Sequence, residues 1–213
     1  MPNPTPAQAW RALREGNERF VLGAPSHPNQ DTDRRAATAN SQSPFALVFG
    51  CMDSRVAAEI IFDQGIGDLA VVRTAGHVLD SGVLGSLEFG VTGLGIPLVV
   101  VLGHDSCGAI AAALKAHRTG QMPGGYVRDI VERVTPSMVT ARVAGRRLEE
   151  IEPDELTAEH VRHTVHLIAE RSQPIADRID SGACAVVGAG YRLREGRVEL
   201  LDAVGDVDGE LSE

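Results

Sequence analysis

The sequence has few aromatic residues, few cysteines and no long apolar run. Only 4% of its 213 residues are aromatic, so aliphatic side chains and alanine must fill the core. Three cysteines are an odd number, and they are too few for a disulfide scaffold in a chain of this length. No run reaches the roughly 18 apolar residues that suggest a membrane-spanning helix. These absences favour a protein of a reducing compartment that does not cross a membrane.

Positive charge is also scarce, and this limits the possible partners. The chain carries 20 Lys and Arg against 29 Asp and Glu, which gives a formal net charge of −9. Because binding to a phosphate backbone requires a basic face, a nucleic-acid partner is not expected. The first residues, MPNPTPAQAW, lack the basic and then apolar pattern of a signal peptide. We therefore expect a cytoplasmic protein without a nucleic-acid or membrane partner.

Apolar runs alternate with helical patterns along the chain. Four runs predict buried strands and a fifth, alternating run predicts an edge strand: 45–50, 69–74, 97–103, 183–189 and 197–204. Helical patterns cover 6–22, 34–40, 57–64, 79–95, 107–120 and 126–171, the last with breaks expected at Pro136 and Pro153. This alternation indicates an α/β fold, in which helices flank a central, mainly parallel sheet of four core strands with a C-terminal edge strand. The length suits one domain, 1–213, with an N-terminal helical arm, 1–40, and an α/β core, 45–204.

Reactive side chains follow two of these strands. Cys51 ends the first strand in FGCMDSR, and His104 and Cys107 follow the third in GHDSCG. Because ligands of open α/β sheets gather at the carboxyl ends of strands, these three side chains should lie close together. Thiolate and imidazole are ligands that zinc prefers, and three protein ligands leave one position open for catalysis. A strand-end cysteine and a helix-cap histidine without a shared purpose remain the alternative at this point.

Three motifs resemble the signatures of the β-class carbonic anhydrases: CMDSR at 51–55, RTAG at 73–76 and GHDSCG at 103–108. Their separations agree as well, and the resemblance covers roughly residues 10–191. It implies an enzyme that uses one Zn²⁺ per chain to catalyse CO2 + H2O ⇌ HCO3⁻ + H⁺. It also implies a homo-oligomer, either a dimer or a dimer of dimers. The apolar stripe of Trp10, Leu13 and Phe20 on the arm would then lie across a neighbouring subunit.

The resemblance assigns a role to each matching residue. Cys51, His104 and Cys107 match the zinc ligands, and Asp53 and Arg55 match the catalytic dyad. Asp53, kept ionised by Arg55, would accept the hydrogen bond of the zinc-bound hydroxide, or would become a fourth zinc ligand in a closed state. The substrate pocket should be narrow and apolar. Five further residues are expected to bind substrate or to line its pocket: Gln42, which would serve a partner's pocket, and Val56, Ala75, Phe89 and Gly108.

Two positions depart from what other family members carry. Val48 stands where members with a bicarbonate inhibitory site have a Trp, so we do not expect that regulation, although the site's arginine is present as Arg73. Phe89 keeps the ring, but not the hydroxyl, of the Tyr that other members place there. Because two thiolates offset the charge of the metal, we also expect the active form to be favoured at alkaline pH.

Several histidines and one cysteine lie outside the three motifs. Cys184 is inside an apolar strand, which is typical of a buried cysteine without a reactive role. His160, His163 and His166 recur every three residues on a predicted helix, and we interpret them as solvated side chains rather than as a metal-binding patch. His77 follows RTAG and is a candidate for moving protons.

Three other functions fit parts of the sequence. Cys107, activated by His104 and a helix N-terminus, could act as a metal-free nucleophile, although this leaves Cys51 without a role. A purely structural zinc would make the chain a non-enzymatic interaction domain, which would not need the pair of Asp53 and Arg55. The same fold and zinc site could also act on CS2 or COS instead of CO2.

Overall fold

The computed structural model describes residues 4–143 and 147–207, and a single sheet lies at its centre. Its five strands are β1 (Ala46–Cys51), β2 (Leu69–Thr74), β3 (Leu98–His104), β4 (Ala185–Tyr191) and β5 (Val198–Val204). They lie in the order β2-β1-β3-β4-β5. The first four strands pair in parallel, and β5 runs antiparallel to β4 at the edge. The predicted sheet of four core strands with a C-terminal edge strand is confirmed.

Helices connect the strands and cover the sheet. Those in the described part of the chain are α1 (Pro6–Val21), α2 (Thr32–Thr38), α3 (Ala58–Ile61), α4 (Ser81–Glu88), α5 (Gly108–Thr119), α6 (Val127–Val143), α7 (Pro153–Arg171) and α8 (Gln173–Asp180). Three single turns of other helix types occur at Ala75–His77, Phe89–Gly93 and Leu148–Glu150. None of the described helices is both long enough and apolar enough to span a membrane.

Alternate side chains of the core strands fill two apolar layers. On one face of the sheet, Val48 packs in a cluster with Trp10 and Leu13 of α1. On the other face, Leu47 packs in a cluster with Val161 of α7. Each of these five side chains is at most 3% exposed. Because parallel strands are buried on both faces, the two layers together hold the sheet that carries the site.

The N-terminal arm is fixed to its own chain. Thr5 caps α1 by accepting a hydrogen bond from the Gln8 backbone N–H at 3.2 Å, and the Gln8 side chain accepts one from the Thr5 N–H at 2.9 Å. The Asn17 amide donates to the carbonyls of Ile61 at 3.1 Å and Gly196 at 2.8 Å. The stripe of α1 therefore faces this chain's own sheet. Contact of the arm with a neighbouring subunit stays a prediction, and it would use another face of the helix.

The predicted helix break at Pro136 is wrong, whereas the one at Pro153 is confirmed. Helix α6 continues through Pro136, and Pro153 is the first residue of α7. Proline removes one helical N–H donor and so leaves the carbonyl four residues earlier, that of Glu132, without its usual partner. Because Pro136 and Glu132 are both exposed, water can bond to that carbonyl and the helix continues.

The interpretation of three solvated histidines is wrong for His160. Its exposed fraction is 2%, whereas His163 is half-buried and His166 is exposed. In an α-helix, three residues turn through about 300°, so each successive histidine lies about 60° further round from the first. The repeat therefore starts on the face of α7 that packs on the core and moves out toward solvent.

Gly16 marks a close approach between α1 and the end of α3, and this gives a test of the packing. A Cβ at Gly16 would lie 1.8 Å from the Phe62 carbonyl oxygen. Gly16→Ala should therefore push the helices apart and lower the free energy of unfolding by about 1–3 kcal/mol in urea titrations. Gly85→Ala in α4 is the control, because an added Cβ there meets no atom within 4 Å. The control should be neutral or stabilising by up to about 1 kcal/mol. Equal stability of the two variants would contradict the close approach.

Candidate metal centre

The parallel neighbours β1 and β3 end at the same edge of the sheet and carry two of the predicted ligands there. Cys51 is the last residue of β1 and His104 is the last residue of β3. Cys107 immediately precedes α5. The Sγ atoms of Cys51 and Cys107 are 4.0 Å apart, and the ligand atoms of all three residues lie within 4.8 Å of one another. The structure thus brings together the three side chains that the sequence singled out.

The His104 ring is oriented as a metal ligand would be. Its Nδ1 lies 2.8 Å from the carbonyl oxygen of Asp105, which can only accept, so Nδ1 carries the proton. Its Nε2 is buried and has no hydrogen-bond partner within the described chain. Exposure is 1% for His104, 4% for Cys51 and 1% for Cys107. A buried imidazole lone pair beside two sulfurs fits a soft, tetrahedral divalent ion, and zinc is the common one.

Charge at the two sulfurs also favours a cation. A hydrogen bond from the Cys107 thiol lowers the pKa of Cys51, although burial alone would raise it. His104 and the Gly76 N–H also lower the pKa of Cys51. The Gly76 nitrogen lies 3.3 Å from Cys51 Sγ. The hydrogen bond that the Cys107 thiol donates to Cys51, together with burial, raises the pKa of Cys107. A divalent metal would displace the proton shared between the two sulfurs and bind both as thiolates.

Gly76 occupies a turn that comes close to α5. Its φ is 62°, in the left-handed region, and a Cβ there would lie 2.9 Å from Ala109 Cβ. Both facts favour glycine at this position. The next residue, His77, is also left-handed at φ 43° and is fully buried. The turn therefore lies directly against the metal ligands, and it supplies the N–H that faces Cys51.

His77 does not suit the proton-moving role considered from the sequence. Burial, followed by the charges of His160 and His104, lowers the pKa of His77 well below its usual value. Neither ring nitrogen has a hydrogen-bond partner among the described residues. An imidazole that stays neutral and has no bonded neighbour offers a proton no path.

Asp53 and Arg55 form a bidentate salt bridge next to the sulfurs. Arg55 Nε donates to Asp53 Oδ1 at 2.9 Å, Nη2 donates to Oδ2 at 2.7 Å, and the backbone N–H donates to Oδ1 at 2.9 Å. The side-chain hydrogen bond from Arg55 lowers the pKa of Asp53, so the carboxyl group is ionised. Arg73 donates to the carbonyls of Cys51 and Asp53, which fixes the segment that leads out of β1.

Two of the five residues expected in the substrate pocket lie close to the candidate ligands, one in the turn that faces Cys51 and one directly after Cys107. Ala75 is half-buried in the turn that supplies the Gly76 N–H. Gly108 directly follows Cys107, and an added Cβ there would meet no atom within 4 Å. Both positions carry small residues close to the candidate ligands, and their role in substrate binding stays a prediction.

The other three pocket residues lie in different surroundings. Val56 is 2% exposed and packs in the layer that contains α1, whereas the two cysteines pack in a separate cluster. Phe89 is 62% exposed, and Gln42 is exposed in the segment before β1. Their roles in substrate binding stay predictions.

Two carboxylates that the sequence reasoning did not select hold the turn between His104 and Cys107. Asp154 Oδ1 accepts a hydrogen bond from the Ser106 N–H at 2.8 Å, and Asp105 Oδ1 accepts one from the Leu193 N–H at 2.8 Å. Ser106 has a φ of 54°, which a non-glycine residue adopts only when its surroundings hold it there. The partners are 48 and 88 positions apart, so no local pattern announces them.

Comparison with known sequences gives one consistent result. Residues 46–198 match the family model described as carbonic anhydrase. The chain is 56% identical over 211 residues to carbonic anhydrase 2 of Mycobacterium tuberculosis, a match that covers 99% of this chain and 100% of that protein. It is also 56% identical over 207 residues to the carbonic anhydrase of Mycolicibacterium smegmatis, covering 97% and 98% of the two chains.

Solved structures share the fold at lower identity. A Coccomyxa β-carbonic anhydrase in complex with acetazolamide matches with a TM-score of 0.70 at 24% identity, covering 93% of this chain and 88% of that one. A tetrameric β-carbonic anhydrase from Sordaria macrospora matches with a TM-score of 0.70 at 20% identity, covering 92% and 98%.

Removal of one sulfur tests the metal centre. Because three ligands are needed to hold the ion in a buried site, Cys51→Ala should reduce bound zinc from about one per chain to below about 0.1, as measured by elemental analysis. Cys184→Ala is the matched control, since Cys184 is equally buried but lies in the apolar layer of the sheet. Full zinc in Cys51→Ala, or its loss in Cys184→Ala, would contradict the assignment.

Proposed function

This chain belongs to the β-carbonic anhydrase family, and we propose that it hydrates CO2 reversibly to bicarbonate and a proton at one zinc ion held by Cys51, His104 and Cys107. One observation carries the proposal: the buried ligand atoms converge within 4.8 Å, beside a carboxylate that Arg55 keeps ionised. Zinc, when bound, supplies the Lewis acidity that makes a nucleophilic form of water available near neutrality. The protein must orient that nucleophile and admit CO2.

Asp53 orients the nucleophile. An ionised carboxylate can only accept hydrogen bonds, so it selects a partner that presents an O–H and turns that partner's lone pair toward CO2. The hydrogen bonds from Arg55 hold both carboxylate oxygens, which fixes the direction of acceptance. Without the hydrogen bonds from Arg55, Asp53 could serve as a fourth ligand of a bound ion, which would close the site.

A second copy of the chain completes the pocket. Five large hydrophobic side chains in the described part of the chain are more than 60% exposed: Leu22 at 73%, Met52 at 64%, Ile60 at 63%, Phe89 at 62% and Tyr126 at 89%. Exposed apolar surface of this kind supports assembly into a dimer or a dimer of dimers. In that assembly Gln42 of one copy hydrogen-bonds substrate in the pocket of the other, and Val56, Ala75, Phe89 and Gly108 form its wall. The enzyme acts in the cytoplasm.

The metal-free thiol mechanism is not favoured. The attacking group in such a mechanism is the thiolate, and donation to Cys51 together with burial raises the pKa of Cys107. This mechanism also gives no role to Cys51, whose Sγ lies 4.0 Å from that of Cys107. Hydrolysis of CS2 or COS would use the same site, and the assay described next distinguishes these substrates from CO2.

We expect the rate of CO2 hydration by the zinc-loaded protein to rise from pH 7 to about pH 9, because two thiolates reduce the positive charge at the metal. Titration of Asp53 does not cause this rise of the rate with pH. Its pKa is lowered by the hydrogen bond from Arg55, so it is already ionised throughout the range and loses its charge only in strong acid. Stopped-flow hydration with a pH indicator measures the profile. Zinc-loaded protein that is inactive at every pH would refute the proposal, and hydrolysis of CS2 or COS by that protein would favour the alternative substrates.

Asp53→Asn should keep zinc but lower kcat/KM for CO2 by at least about 100-fold, because an amide that also donates no longer selects an O–H partner. Glu132→Gln is the matched control. It neutralises the carboxylate of an ordinary surface pair, Arg128 with Glu132, whose side chains are 60% and 51% exposed. The control should leave kcat/KM unchanged. Equal activity of Asp53→Asn and wild type would remove Asp53 from the mechanism.

A further inference from the structure

A line of buried hydrogen bonds leads from helix α6 to the sulfur of Cys51. Ser137 Oγ lies 2.8 Å from His160 Nδ1. His160 Nε2 lies 3.1 Å from the carbonyl oxygen of Gly76, and the Gly76 N–H faces Cys51 Sγ at 3.3 Å. Ser137 and His160 are 0% and 2% exposed. His160 therefore lies two hydrogen bonds from a metal ligand, although it belongs to none of the three sequence motifs.

The hydrogen-bonding capacity of each group shows which atoms in this series of hydrogen bonds carry the protons. The Gly76 carbonyl can only accept, so His160 Nε2 must donate. Nδ1 is then a lone-pair acceptor, and the Ser137 hydroxyl donates to it. Burial, with a smaller effect from the charge of His163, lowers the pKa of His160 to about 4, which agrees with a neutral ring. Both nitrogens of His160 are thus used, in fixed directions.

Gly76 lies in a conformation that requires outside support. Gly76 and His77 are consecutive left-handed residues, with φ of 62° and 43°, and such pairs persist only where neighbouring groups hold them. His160 holds both. Its Nε2 bonds the Gly76 carbonyl, and its ring packs on that of His77, with the ring centroids 4.5 Å apart. Helix α7 therefore supports the turn that presents the Gly76 N–H to Cys51.

We propose that His160 is a positioning residue of the zinc centre, which holds the Gly76 N–H on the Cys51 thiolate and so sets how strongly that sulfur donates to the metal. A hydrogen bond to a thiolate withdraws charge from the sulfur, and such outer contacts tune both the affinity and the electronic state of a bound metal. His160 itself touches neither metal nor substrate. The inference rests on the zinc centre of the proposed function, but not on turnover of CO2.

Three variants separate this role from general packing. His160→Leu fills similar space without a donor, whereas His160→Gln returns an N–H donor that can reach the Gly76 carbonyl. His163→Leu is the matched control, because it removes the next, half-buried imidazole of the same helix. Each protein is loaded with Co²⁺ to record the thiolate-to-cobalt charge-transfer band, and zinc Kd is measured separately by chelator competition.

His160→Leu should move the charge-transfer band to longer wavelength, because a sulfur without its N–H partner releases charge to the metal more readily. Its zinc Kd should nevertheless rise about tenfold, in the range seen for outer-contact mutations, because the turn that orients the Cys51 sulfur is no longer held. His160→Gln should recover most of both changes, and His163→Leu should show neither. A folded His160→Leu protein with the wild-type band and Kd would overturn the proposal. So would equal changes in His160→Leu and His160→Gln.

If His160→Leu does not fold, Ser137→Ala decides the question. It removes only the hydroxyl that fixes Nδ1, and it should move the band in the same direction; an unmoved band would overturn the proposal. Failure of the proposed function gives a different pattern. A wild-type chain that binds no metal overturns both inferences, whereas zinc-loaded wild type that does not hydrate CO2 overturns only the proposed function, because neither readout involves CO2.

Discussion

Parallel pairing of β1 with β3 is the constraint on which the rest of the structure depends. The register that sets Leu47 beside Val99 and Gly50 beside Leu102 brings Cys51 and His104 to one edge of the sheet. A slip of one residue would turn every β1 side chain to the opposite face and remove Cys51 from the site. Parallel strands must also be covered on both faces, so α1 and α7 are as necessary to the ligand geometry as the strands themselves.

A second layer of polar contacts makes that edge suitable for a cation. The Asp105 carbonyl fixes the His104 ring, Asp154 holds the turn at Ser106, and the Gly76 N–H faces the sulfur of Cys51. Each of these groups leaves its partner fewer orientations, which reduces the entropy lost when an ion binds. The ligands and their supports come from distant parts of the chain, so the site forms only when the whole domain has folded.

The pair of Asp53 and Arg55 has a different origin, because both residues lie in the short segment after β1. Arg55 is more than half exposed, and an exposed pair of this kind contributes little to folding stability. In the proposed function its value lies in chemistry, because the hydrogen bonds from Arg55 hold both oxygens of an ionised carboxylate. Local sequence is sufficient to place such a pair, whereas its use depends on the ligands that β3 and α5 deliver.

The sequence by itself determined the strands, the convergence of Cys51, His104 and Cys107 and the ion pair of Asp53 and Arg55. The periodicity of apolar residues, the ends of strands and close spacing are all local properties of the chain. The sequence did not determine the path of α6 through Pro136, the short helix α8, or the partners of Ser106. His160 shows the reason most directly: its neighbours in the sequence indicate a helix, but its burial depends on how that helix is rotated against the sheet. Only the tertiary structure decided that rotation, because distant side chains such as Ser137, and the Gly76 carbonyl, satisfy the buried imidazole.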